Sequence, residues 1–406
     1  MSLAGYHHGV RVSEIDTGTA TLRLVSTAVI GLIGTAPDAD ATKFPLNRPV
    51  LFTNISKAIA AAGVLGTLAQ ALTAIADQAR PVLVIVRVAE GVGADDAEKQ
   101  ADQTSKVIGS AISGQYTGIQ ALRAAQAQLG VRPRILGAPG LDTKPVADAF
   151  AIAAKELRAM AYISAWGAQD VSEALAYADQ FGSRELMVIW PDWMRWSTTA
   201  NAPAPAPAVA YAMGLRAQID TDQGWHKSLS NVPVNGPMGM THDVYWDLQN
   251  PATDAGLLNE GRVTTLINSQ GFRFWGSRTT SIDGNFAFET ATRTAHILAD
   301  TMAEGHFWAV DKPMHPSLVK DILEGINARL RSLKSGGYIL DGKAWFDTEV
   351  NTTETLKAGA PQPAARPMTE RFRASRHDGV CSKPRGVTAL PARVKDAEPS
   401  LSLPGQ

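Results

Sequence analysis

The sequence has few of the features that mark the common alternatives to a cytoplasmic globular chain. Its 406 residues include one cysteine, Cys381, so no disulfide can form within the chain and a disulfide-stapled secreted scaffold is excluded. No apolar run reaches membrane-spanning length and no basic-then-apolar leader opens the chain, which predicts folding in a cytoplasm without membrane insertion. Charge of either sign is not in excess. With 38 Lys+Arg against 39 Asp+Glu the formal net charge is −1, which speaks against a protein that neutralises a nucleic-acid backbone. Near-neutrality also removes the self-repulsion that keeps chains apart, which suits an assembly subunit.

Motifs that carry chemistry are scarce too. His7 and His8 are adjacent, and on a strand neighbouring side chains point to opposite faces, so they make a poor metal pair. Gly31 and Gly34 lack the third glycine of a dinucleotide turn, and Pro37-Asp38-Ala39-Asp40 stands where its helix would open. Leu141-Asp142-Thr143-Lys144 runs into Pro145 and has no Gly-Lys-Ser/Thr phosphate cradle. Between Gly271 and Trp308, Arg273, Arg278, Asp283, Glu289, Arg293, His296 and His306 show no spacing that a known mechanism demands, and they read as surface charges and hydrogen bonders around aromatic rings. The expectation is no catalytic residue, no metal and no cofactor.

What is present is material for a large core: 45% of residues are hydrophobic and 19% charged, enough for two or three domains. Strand-like and helix-like segments alternate. Strands are expected over 25–36, 49–52, 81–88, 134–140, 161–165, 185–190 and 263–268, and helices over 56–62, 67–78, 119–129, 146–160, 172–181 and 209–219. Residues 90–104 read as an acidic surface connection, and the Pro-Ala alternation from Asn201 as a stiff connector. Phe272-Arg273-Phe274-Trp275 alternates as a half-buried strand, followed by a turn at 283–285 and a long helical pattern. From Ser317 to Lys334 apolar residues at 318, 319, 322, 323, 326, 330 and 333 form a stripe with a 3.6-residue period, and further strands are expected over 338–346 and 347–355. This rhythm predicts an α/β (α+β) fold, mixed sheets with covering helices. In such a fold the loop crests after the strands would hold an active site. Those at Pro139, Ala165-Trp166 and Pro191-Asp192-Trp193 offer no nucleophile with a base.

The two ends read differently. Residues 9–15 and 19–24 are β-prone runs with no local core, whose open edges invite pairing with another chain. Beyond 358 prolines recur, basic residues outnumber acidic ones and periodicity vanishes, which predicts a disordered tail. The expected divisions are 1–24, 25–104, 105–262, 263–357 and 358–406.

GFRFWGSRTTS at 271–281, FAFETATRT at 286–294, EGHFWAVD at 304–311, FGSRELM at 181–187, the run from Gly224-Trp225 to Gly236, and LLNEGRVTTLIN at 257–268 together resemble contractile tail sheath proteins of myophages, in particular the P2-like and R-type pyocin branch. The agreement keeps its order along some 350 residues. The resemblance implies a non-enzymatic virion subunit assembled in the host cytoplasm, with copies in stacked hexameric rings around a tail tube protein, bounded by baseplate and terminator. It implies that residues 1–24, with Val10, Val12, Ile15, Leu22 and Leu24, form an arm adding a strand to a neighbour, and that Lys320, Glu324, Arg329, Arg331 and Lys334 lie on a helix facing the tube. Sheath proteins of this kind continue past the position of Gly359 with a strand and a Pro-Pro turn, which the sequence from Ala360 does not display. A reading-frame change or a different terminus would each account for that, and a strand between 360 and 375 would argue against the former. An α/β enzyme, or another ring-forming phage structural protein, are the alternatives.

Overall fold

The computed structural model describes residues 26–198, 200–310, 312, 316–346 and 363–368. They fall into two compact units, one of residues 26–298 and one of the described residues from 299 to 368.

The first unit opens with β1 (Val29–Thr35), β2 (Pro49–Phe52), α1 (Ile55–Ala61), α2 (Leu68–Gln78) and β3 (Val82–Val88). There follow α3 (Asp96–Ile108), the short pair β4 (Ala111–Ile112) and β5 (Gln115–Tyr116), α4 (Gly118–Leu129), β6 (Ile135–Gly137), α5 (Lys144–Leu157), β7 (Met160–Ser164), α6 (Val171–Ala178) and β8 (Leu186–Ile189). Next come β9 (Trp193–Ser197), β10 (Ala202–Ala206), α7 (Ala208–Asp222), β11 (Gly239–Met240), α8 (Asp254–Glu260), β12 (Val263–Asn268) and β13 (Phe272–Trp275). The division between units falls inside α9 (Glu289–Gly305), and the second unit continues with α10 (Pro316–Ser335), β14 (Asp341–Phe346) and β15 (Pro363–Met368).

An eight-stranded sheet in the order β13-β12-β8-β7-β6-β1-β3-β2 organises the first unit. Its six inner strands are parallel, and β2 and β13 close its edges antiparallel. Both faces are covered, so the strands read as continuous apolar runs and their period-2 alternation assigns residues to two cores rather than to core and solvent. In β3, Leu83 and Ile85 join the core under α1, α2 and α7, while Val84 and Val86 join the one under α4 and α5. Eleven of the fifteen residues of α7 are buried, as expected of a helix held between a sheet and another helix. Gly214 permits that approach. A Cβ there would stand 2.9 Å from the Cα of Ile75 on α2.

Elements β4, β5, β9, β11 and α8 lie where the sequence reading placed none, and three of its readings change. Residues 90–104 are not a connection throughout, because α3 begins at Asp96. Its N-cap Asp95 accepts from the Glu98 N–H at 2.8 Å, and the Glu98 carboxylate accepts from the Ala94 N–H at 2.8 Å. This reciprocal capping starts a helix whose sparse apolar face buries Val107. The Pro-Ala stretch is an edge strand, β10, paired antiparallel with β9. Residues 363–368, inside the stretch expected to be disordered, pair antiparallel with β14 from Asp341↔Met368 to Phe346↔Pro363. Main-chain pairing needs no apolar periodicity, which is why composition did not reveal it, and the strand weighs against a reading-frame change after Gly359. The strand expected over 347–355 lies outside the described residues.

Candidate functional site

In a doubly wound sheet, ligands enter at the carboxyl ends of the strands where the winding reverses, here between β1 and β6. That crevice is filled by the chain itself. The Thr35 N–H donates to Thr67 Oγ1 at 3.1 Å and the Thr67 N–H donates back to the Thr35 carbonyl at 3.0 Å, seating the start of α2 on the end of β1. Gly140, after β6, stands against the Thr67 methyl, 3.6 Å from where its own Cβ would be.

The neighbouring crests hold two carboxylates, Asp142 buried and Asp192 half-buried. Asp142 receives the Ser164 N–H, and Asp192 receives the Ala208 N–H at 2.8 Å, capping α7. Burial pushes Asp142 up to about 6, opposed by the Ser164 N–H and reinforced by Asp192, and its Oδ1 has no hydrogen-bond partner among the described residues. Asp192 is likewise pushed up by burial. Both carboxylates thus bind main-chain amides and tie loops to the sheet. Trp193 is fully buried, with its ring edge-on to Phe272 and Phe274.

The residues singled out between Gly271 and Trp308 separate into surface and interior. Asp283 caps a short turn by accepting from the Asn285 N–H, and Arg273 reaches the Asn231 carbonyl at 3.0 Å. Glu289, Arg293 and His296 are buried, contrary to the surface reading. Glu289 and Arg293, on the first turns of α9, belong to a charge cluster with Arg216 and Asp220 of α7. Arg216 bonds Asp220 at 2.8–2.9 Å and lies 3.7 Å from Glu289, Arg293 bonds the other oxygen of Asp220, and the Tyr162 hydroxyl donates to Glu289. Two cations meet two anions, so the cluster is neutral as a set. Burial works against the Arg216 charge, but Asp220 and Glu289 outweigh it and leave its pKa raised. Burial and the Glu289 charge push Tyr162 upward, so its hydroxyl stays a donor. His296 faces Glu185 at 3.4 Å; burial disfavours the Glu185 carboxylate, yet hydrogen bonds from His296, Arg184 and Ser183 prevail and lower it to about 2. Sequence inspection missed the cluster. A signal existed, because Arg216 interrupts the stretch Ala208–Ala217, which is otherwise apolar on every side of α7.

In the second unit α10 buries Ile326, Leu330 and Leu333, while Leu318, Val319, Ile322 and Leu323 are half-buried. Lys320, Glu324, Arg331 and Lys334 share one side within about 80° at ~100° per residue, whereas Arg329 falls on the opposite side and is half-buried. Lys320 pairs with Glu324 at 3.8 Å, and Lys334 with Asp341 at 3.1 Å. The Asn327 carboxamide brackets Ala344, donating to its carbonyl at 2.9 Å and accepting from its N–H at 2.8 Å. Val10, Val12, Ile15, Leu22 and Leu24 lie outside the described residues.

Family models match most of the described chain: the tail sheath protein Gp18 domain III N-terminal region over 27–88, the phage tail sheath protein central domain over 114–280, and the phage tail sheath C-terminal domain over 281–360. The chain is 56% identical over 358 residues to the tail sheath protein of Escherichia phage P2, covering 88% of this chain and 90% of that protein. It is 45% identical over 354 residues to the major tail sheath protein of Serratia phage KSP20, covering 87% and 89%. In fold it resembles the helical sheath of the anti-feeding prophage in its contracted state, with a TM-score of 0.68 at 15% identity over 94% of this chain and 100% of that one. The sheath complex of the PVC extracellular contractile injection system, also contracted, gives 0.67 at 14% identity over 94% and 99%. With the winding crevice filled by its own threonines and near-full-length identity to two tail sheath proteins, this chain belongs to the phage tail sheath protein family.

Proposed function

We propose that the chain is the structural subunit of a contractile tail sheath, in the tail of a phage or phage-tail-like particle. Copies assemble around a tail tube, and their collective movement shortens the sheath and drives the tube through a target envelope. The observation that carries this reading is 56% identity to the P2 tail sheath protein along 88% of the chain. The role is mechanical and asks no bond-making chemistry of any side chain. Work comes from subunits repacking as rigid bodies between two arrangements.

The finer reading has copies in stacked six-membered rings, assembled in the host cytoplasm, with baseplate and terminator at the ends. Residues 9–24, with Val10, Val12, Ile15, Leu22 and Leu24, lend a strand to a neighbour, and the Lys320, Glu324 and Arg331 side of α10 faces the tube. Two features favour it. A two-stranded sheet such as β14–β15 is marginal alone and gains stability from added strands. A charged helix face makes contacts that release more readily than a large apolar one, and Lys320 and Glu324 retain 75% and 62% side-chain exposure. Electron microscopy of the protein co-produced with its tube protein tests the proposal. Uniform tubes of sheath around a narrower core are expected, and a monodisperse subunit that never decorates the tube would overturn it.

A further inference from the structure

The first unit carries a second, small sheet in the order β10-β9-β11, so among the described residues β10 is an open edge. Its sequence, Ala202-Pro203-Ala204-Pro205-Ala206, places a proline at every second position, opposite Trp196 and Met194 of β9. In an antiparallel ladder each residue turns its N–H and C=O to the same side, and successive residues alternate sides. The parity of β9 is fixed by its other neighbour, because the Met238 N–H donates to the Met194 carbonyl at 2.8 Å and the Thr241 N–H to the Asp192 carbonyl at 2.9 Å. Even-numbered positions of β9 therefore face β11, and Trp193, Arg195 and Ser197 face Ala206, Ala204 and Ala202. Pro203 and Pro205 turn their main chain outward, where each offers a carbonyl but no N–H. The free edge presents acceptors and no donor across its middle.

An exposed ring adjoins that edge, because Trp196, opposite Pro203, is 48% exposed, and an open strand edge is a template for pairing with a second chain. We propose that Pro203 and Pro205 are specificity determinants of assembly, barring this edge from accepting a strand of a second copy of this chain so that copies associate only through other surfaces. A strand docking here would gain half a ladder and meet pyrrolidine rings where its carbonyls need donors. The inference goes beyond the sheath reading and does not depend on where terminal arms dock.

The test compares three full-length chains: the parent, P203T/P205T, which restores both outward N–H donors, and P203K/P205K, which restores them beside charges that oppose edge pairing. Sedimentation velocity reads association, electron microscopy separates irregular clumps from uniform tubes, and amide exchange at 193–197 verifies that β9 stays folded. Two restored hydrogen bonds per contact imply a rise of about tenfold or more in irregular association for P203T/P205T, with P203K/P205K close to the parent and β9 protected in all three. The proposal is overturned if P203T/P205T associates no more than the parent, or if the threonine and lysine variants associate alike. A parent that forms no tubes would count against the sheath reading and leave this comparison readable.

Discussion

At the scale of single residues, the polar groups inside the first unit hold it together through hydrogen bonds to fixed partners. Arg216 is the hub of the buried cluster, joined to Asp220, to Glu289, and at 3.2 Å to the Gly224 carbonyl. Arg216→Met leaves buried carboxylates with one cation between them, and a loss of about 3–5 kcal/mol is expected in urea unfolding. Asp142 behaves oppositely. Its folded carboxyl titrates at about 6, above the ordinary 3.8, so the folded state holds the extra proton. The stability this lends is complete below the ordinary value and is lost as pH rises through about 6. Asp142→Asn keeps an acceptor for the Ser164 N–H and removes the buried charge. The variant should unfold at higher urea than the parent at about pH 8, by about 1–3 kcal/mol, with the gain vanishing near pH 4. An equal gain at both pH values would contradict this assignment.

At the scale of elements, most of the first unit was legible because long apolar runs and 3.6-residue stripes dominate it. The alternation in Phe272-Arg273-Phe274 placed both rings on one face, where both meet Trp193. What was not legible had no hydrophobic signature. Helix α3 rests on capping, β10 on pairing between alternate prolines, and β15 on main-chain pairing with β14. The buried set of Glu289, Arg293 and His296 was misplaced because a polar residue within a helix reads as solvated until its partners on other elements are known. Carboxamides make the same kind of invisible joint twice. Gln78 brackets Asn235, donating to its carbonyl at 2.6 Å and accepting from its N–H at 3.1 Å, as Asn327 brackets Ala344. Asn327→Leu keeps the side-chain bulk and loses both bonds, so a cost of about 1–3 kcal/mol is expected. Amide exchange at Ala344 should quicken ahead of exchange in the eight-stranded sheet, and unchanged protection there would contradict the role given to Asn327.

At the scale of the whole molecule, the sequence order of six motifs points to the tail sheath family, and the near-full-length relatives bear that out. A largely parallel sheet between two cores, with Thr35 and Thr67 bonded to each other at its winding crevice, makes a stiff body in the first unit. Stiffness suits a subunit that moves as a block, because a close-packed core shifts between discrete arrangements and does not deform continuously. The decisive measurement is cryo-electron microscopy of tails carrying this chain, before and after contraction. The eight-stranded sheet with its covering helices should superpose between the two states while the spacing and rotation between neighbouring copies change. A single lattice in both samples, or a sheet that rearranges its strands on contraction, would contradict a sheath that works by moving rigid subunits.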